Sequence, residues 1–128
     1  MEENAITQRI IGAAIEVHRE LGPGLLESAY ELALAIEFDQ RGIGYRRQCL
    51  LPARYKGQNI GDAYRLDFLV EDAVIVEIKA VSRLAPVHGT QLLTYLRLAN
   101  KRIGLLLNFH VDAMRSGIQR IVAPNAAS

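Results

Sequence analysis

The chain has 128 residues, half of them hydrophobic and 23% charged, with a net charge of +1, the balance of one ordinary globular domain over residues 1–128. No window approaches the roughly 18 uncharged apolar residues of a membrane span, and the acidic Met1-Glu2-Glu3-Asn4 lacks the basic start and apolar core of a signal peptide. A lone Cys49 excludes an internal disulfide; a buried thiol in a reducing, cytoplasmic setting is the expectation.

The charge is unevenly spread. Residues 1–40 carry two basic and eight acidic side chains, a balance of −6, and residues 41–128 carry thirteen basic and six acidic, a balance of +7. The basic part suits a polyanion, or neutralises the acidic part across the fold.

Residues 5–21 have a helical apolar period, with Ile6, Ile10, Ala14, Val17 and Leu21 on one stripe and Asn4 as the expected N-cap. Gly22-Pro23-Gly24 stops that helix. His18, at the stripe's edge, reads as a packed or surface histidine. A second helix is predicted from Leu25 to Arg41, through Leu26, Tyr30, Ala33 and Leu34, with Gly42 ending it. Glu27 falls in its first turn, where the helix dipole favours a carboxylate.

Past Gly44 the period changes to two. Strands are expected over Tyr45–Tyr55, with Pro52 marking an edge or bulge, then over Ile60–Val70 and Ala73–Ala80. Lys56-Gly57-Gln58-Asn59 is turn chemistry, and Ser82 to Pro86 is a loop. A helix over Val87–Ala99 leads to a continuous apolar strand, Ile103–Phe109. Gly117–Val122 is a candidate last strand and Pro124–Ser128 a frayed tail. The meander before the third helix should be antiparallel, and the strand after it can return in parallel through a crossover.

Chemistry concentrates in the hairpin that runs from Asp67 to Lys79. Side chains alternate along a strand, so Glu77 and Lys79 share a face, and Asp67 joins them if the hairpin pairs in register. Two carboxylates and an ammonium on one face form either an exposed sheet surface or a divalent-metal site with a lysine beside it. Gln91 and Tyr95, four apart on the following helix, share a face as well. No phosphate-binding glycine loop, HExxH or Cys/His zinc spacing is present. His18, His88 and His110 are too dispersed to form a metal set, although His88 could approach the site from its helix N-terminus.

This order of elements and residues resembles the PD-(D/E)XK phosphodiesterase superfamily, and in particular its small GxxExxY branch. The naming motif stands as Gly24-Leu-Leu-Glu27-Ser-Ala-Tyr30. Ile11-Gly-Ala-Ala-Ile-Glu-Val-His18, Tyr64-Arg-Leu-Asp67, Val76-Glu-Ile-Lys79, Gln91-Leu-Leu-Thr-Tyr95 and Leu107-Asn-Phe109 also match, so the likeness runs from about residue 5 to residue 122. Leu66 stands where the superfamily has proline.

The resemblance implies an α/β fold, a restriction-endonuclease-like mixed sheet of four to five strands flanked by helices. It implies a metal-dependent nuclease acting on DNA or RNA. Asp67, Glu77 and the Ile78 carbonyl would hold Mg²⁺ or Mn²⁺, with Glu27 completing the site. Lys79 would orient or help deprotonate the attacking water, and Gln91, with Tyr95, would steady the site or the phosphate. Hard oxygen ligands suit these ions. The alternative is a non-catalytic nucleic-acid-binding or protein-interaction module on the same scaffold. A carboxylate-pair glycosidase leaves Lys79 without a task. With no separate recognition domain in 128 residues, a homodimer or a partner would have to supply selectivity.

Overall fold

The computed structural model describes residues 2–124, with Asp62 and Ala63 described by their backbone alone. The frayed tail expected over Pro124–Ser128 lies, past Pro124, outside the described residues. The order is α1 (Glu3–Leu21), α2 (Glu27–Gln40), β1 (Tyr45–Tyr55), β2 (Gln58–Val70), β3 (Val74–Lys79), α3 (Pro86–Ala99), β4 (Ile103–Asn108), a 3-10 turn (Met114–Gly117) and β5 (Ile118–Val122).

Local chemistry sets the ends of these elements. α1 begins two residues earlier than the sequence suggests: Glu2 rather than Asn4 is the N-cap, and its carboxylate accepts the Asn4 N–H at 2.9 Å. Gly22, at φ +67°, ends α1 and donates its N–H to the His18 carbonyl. Leu21 is not part of the buried stripe; it is 41% exposed, and Thr7, Ala13 and His18 take buried places instead. The turn between β1 and β2 needs only Lys56 and Gly57, both at positive φ, so β2 begins at Gln58.

The strands form one mixed sheet in the order β1-β2-β3-β4-β5. β1, β2 and β3 are successively antiparallel, β3 and β4 run parallel through the α3 crossover, and β5 returns antiparallel. A parallel pair needs such a crossover, whereas a tight turn suffices for an antiparallel one. The turn from β2 to β3 places Glu71 and Asp72 at φ +52°. The Glu71 carboxylate accepts the Gly44 N–H at 2.8 Å, and the Glu71 N–H donates to the Gly44 carbonyl at 2.8 Å, which holds that unusual backbone in place.

Two apolar layers lie on opposite faces of the sheet. On one, Ile6, Ile10, Val17, Tyr30, Leu34 and Phe38 of α1 and α2 pack on Phe68, Val76, Ile78 and Leu105. On the other, Leu92 and Leu96 of α3 pack on Leu69, Ile75 and Leu106. Alternation along β3 sends Val74, Val76 and Ile78 to the first layer and Ile75 and Glu77 to the second. Cys49 is half-buried beside the second layer rather than fully enclosed. Among the described residues no helix is long and apolar enough to cross a membrane.

Candidate metal and active site

The β2–β3 ladder pairs Phe68 with Val76, Leu69 with Ile75 and Val70 with Val74. One step further along the same register, Asp67 faces Glu77. Their side chains replace the ladder that stops there: the Asp67 N–H donates to Glu77 Oε2 at 2.8 Å, and the Ile78 N–H donates to Asp67 Oδ2 at 2.8 Å. Each carboxylate therefore spends one oxygen on the neighbouring strand's backbone, which fixes both groups without a salt bridge.

Within a strand, a residue's N–H and C=O point to the same side. The Ile78 N–H points toward β2, so its carbonyl also faces the seam, past the last ladder pair. Lys79 has the opposite backbone sense, and its carbonyl accepts the Phe109 N–H at 3.0 Å on the β4 side. The half-buried Lys79 side chain follows Glu77 on the same strand face.

Asn108, opposite Lys79 in the parallel ladder, is 2% exposed. Its Oδ1 accepts the Val81 N–H at 3.1 Å and the His110 N–H at 3.2 Å, and its Nδ2 donates to the Val81 carbonyl at 2.9 Å. It pins the backbone just after Lys79. The sequence shows this asparagine but not its task, because the contact joins residues 27 apart.

Glu77 is a buried carboxylate, 6% exposed. Burial first, then the charge of Asp67, push its pKa up to about 8, against smaller opposing effects of the Asp67 N–H and Lys79. Burial also raises Asp67, against the Ile78 N–H, while the charges of Glu31 and Glu27 add to the rise and that of Lys79 opposes it. Desolvation and like charge disfavour two full negative charges here. A divalent cation reverses both penalties, and the two oxygens not used by the backbone, with the Ile78 carbonyl, are the hard donors such an ion takes. The residues present thus fit a Mg²⁺ or Mn²⁺ ion.

Glu27 is exposed in the first turn of α2 and acts on Asp67 through its charge. Among the described residues no three His, Cys, Asp or Glu side chains gather into a metal-holding cluster, so the structure does not bring Glu27 into one group with Asp67 and Glu77. Glu31, one turn further along α2, has the larger electrostatic effect on Asp67. Its carboxylate accepts from Arg47 at 2.8 Å and from Gln48 Nε2 at 2.7 Å. The sequence marks Glu31 only by its place one turn after Glu27.

α3 borders the pair from the other side. Tyr95 is half-buried, and its pKa is raised first by burial and then by Glu77, with Tyr64 and Asp67 adding to the rise. Gln91 is exposed one turn earlier. His88 caps the start of α3: its Nδ1 accepts the Ala85 N–H at 3.0 Å. His18 is packed, with Nε2 at 2.7 Å from the Val111 carbonyl. Tyr30 is buried, stacks on Phe109 at 4.5 Å, donates to the Gly22 carbonyl and accepts the Leu25 N–H at 3.1 Å. It ties down the loop that leads to Glu27.

One conformational feature was invisible in the sequence. Gln48 has φ +52° and is missing from the β1–β2 ladder, where it would pair with Asp67. On one side of this point Tyr45 and Phe68 face the α1–α2 layer; on the other, Cys49 and Leu66 face the α3 layer. The ribbon thus changes the face it buries at the residue that carries the first carboxylate, a device that re-aims side chains next to sites.

A mixed sheet whose adjoining strands deliver two acids and a lysine to one seam, between helical layers, is a restriction-endonuclease-like scaffold. The chain belongs to the PD-(D/E)XK nuclease superfamily, whose family model matches residues 4–121. No curated protein and no solved structure matches it.

Proposed function

We propose that this protein is a Mg²⁺- or Mn²⁺-dependent hydrolase of phosphodiester bonds in nucleic acid. The observation that carries this reading is the desolvated Asp67–Glu77 pair, held by reciprocal backbone bonds, with Glu77 raised to about 8. Asp67, Glu77 and the Ile78 carbonyl would hold the ion, and Glu27 would add negative charge from α2, acting on Asp67 through its field rather than as a third ligand. The bound ion supplies Lewis acidity and a more acidic water.

The chain's own groups do the remaining work. Lys79 orients the attacking water and offsets charge on the phosphate. Gln91 donates to a phosphate oxygen, and the Tyr95 hydroxyl steadies that side. The buried seam removes water that would weaken these charges. Family membership supports the reading, as does the order of these residues along the chain.

A non-catalytic nucleic-acid-binding module is the second reading, favoured by the missing third carboxylate in the described cluster. Cleavage of labelled DNA and RNA with Mn²⁺, in wild type, Asp67→Ala and Lys79→Ala, separates the two. A nuclease loses about 10²-fold to 10⁴-fold in rate in each variant. Equal background cleavage in all three, with Mn²⁺ binding retained by the wild type in calorimetry, supports the module.

A further inference from the structure

β2 pairs with β3 only over Phe68–Val70, so from Gln58 to Asp67 its partner is β1 alone. The β1–β2 ribbon therefore leaves the sheet as a two-stranded arm of about 30 Å, at ~3.3 Å per residue. Its root is Asp67. Near the root its inner face lies on α3: Leu51 and Leu66 are buried there, and the Tyr64 and Tyr95 rings meet at 5.2 Å. Register shifts on either side of Ala53 bend the ribbon there.

The outer face is of a different kind. Along β1 the buried Leu51 and Ala53 alternate with exposed Leu50, Pro52 and Arg54, and Arg65 stands opposite Leu50. Arg54 and Arg65 thus share the outer face, Lys56 sits at the tip over the Tyr55 ring at 5.4 Å, and Tyr55 is 61% exposed. Among the described residues no acidic side chain pairs with Arg54, Lys56 or Arg65, although Arg46 and Arg47 at the base pair with Asp72 and Glu31. Asp62 is the single acid of the arm's sequence, against these three cations. Arg65 lies two residues before Asp67.

We infer that this arm is the substrate-binding element, and that it lies along the major groove of duplex DNA with Arg54, Lys56 and Arg65 on phosphates. This rests on the nuclease reading and names its substrate. A two-stranded ribbon fits the roughly 12 Å major groove of B-form DNA, whereas the major groove of A-form RNA is too deep and narrow for it. The arm's length spans about nine base pairs at ~3.4 Å each.

The test is fluorescence anisotropy with a labelled 20-base-pair DNA duplex, the RNA duplex of the same sequence and the single strands, without Mg²⁺, over a range of salt. The variants are the triple Arg54→Gln, Lys56→Gln, Arg65→Gln, and a control triple removing the same charge elsewhere, Arg97→Gln, Arg102→Gln, Arg115→Gln. Losing three phosphate contacts lowers the salt slope by about 2 to 3 and the affinity by roughly 10²-fold at ~0.1 M salt. That result in the arm triple, with the control at wild-type values, is expected.

Equal losses in both triples, no loss in either, tighter wild-type binding to the RNA duplex or single strands, or an arm triple that loses self-association instead of DNA binding would each overturn the assignment. Mn²⁺ calorimetry on the same proteins keeps the two ideas apart. An arm triple that binds Mn²⁺ and DNA as the wild type does removes the arm assignment alone; a wild type that binds no Mn²⁺ removes the nuclease reading.

Discussion

Replacing Glu77 by Gln should make the protein more stable at alkaline pH while abolishing the proposed metal site. In the folded chain Glu77 holds its proton up to about 8, against an ordinary value of 4.5. Between those values the folded state binds a proton that the unfolded state has released, so stability falls as pH rises. The contribution is fully present below about 4.5 and is lost by the time pH passes about 8. The gap, at ~1.36 kcal/mol per unit, sets a ceiling of about 5 kcal/mol. Sharing of the proton with Asp67 and entry of water halve that ceiling, to about 2–3 kcal/mol.

For a domain of this size that is a Tm difference of roughly 8–12 °C. Glutamine keeps an oxygen to accept the Asp67 N–H and carries no charge, so its Tm should be nearly flat over the same range. The assay is thermal unfolding followed by circular dichroism from pH 4 to 9, without metal and then with Mn²⁺. Wild type at pH 8 should regain about 2.7 kcal/mol at ~100 times the dissociation constant, and Glu77→Gln should gain nothing. Parallel Tm–pH curves for the two proteins would refute the account of the seam as an electrostatically penalised pair.

Two other substitutions test the supports of the site. Asn108→Ala leaves two N–H groups and a carbonyl without their buried partner, and should lower stability by about 1–3 kcal/mol in urea unfolding while slowing cleavage more than Mn²⁺ binding weakens, since it loosens Lys79 rather than the carboxylates. Tyr30→Phe keeps the stack on Phe109 but loses both hydroxyl bonds; a loss of about 1–2 kcal/mol is expected, together with faster amide exchange at Leu25, and unchanged exchange there would count against its role in the loop.

The sequence by itself determined the order of elements, because periods of 3.6 and two are imposed by which faces must be buried, and those periods are read along the chain. It also determined that Asp67, Glu77 and Lys79 could meet, since alternation fixes faces once a hairpin is granted. What it left open was everything that depends on partners far away in the chain. Asp67 reaches its place through the break in the β1–β2 ladder at Gln48, and a positive φ at a glutamine has no signature in composition. Glu31, Asn108 and Tyr30 acquire their tasks only from contacts across the fold. Whether the seam between β2 and β3 carries backbone bonds or carboxylates was a tertiary decision, and so was the length of ribbon that β3 leaves uncovered: both depend on where one strand stops pairing with its neighbour, which no stretch of sequence specifies alone.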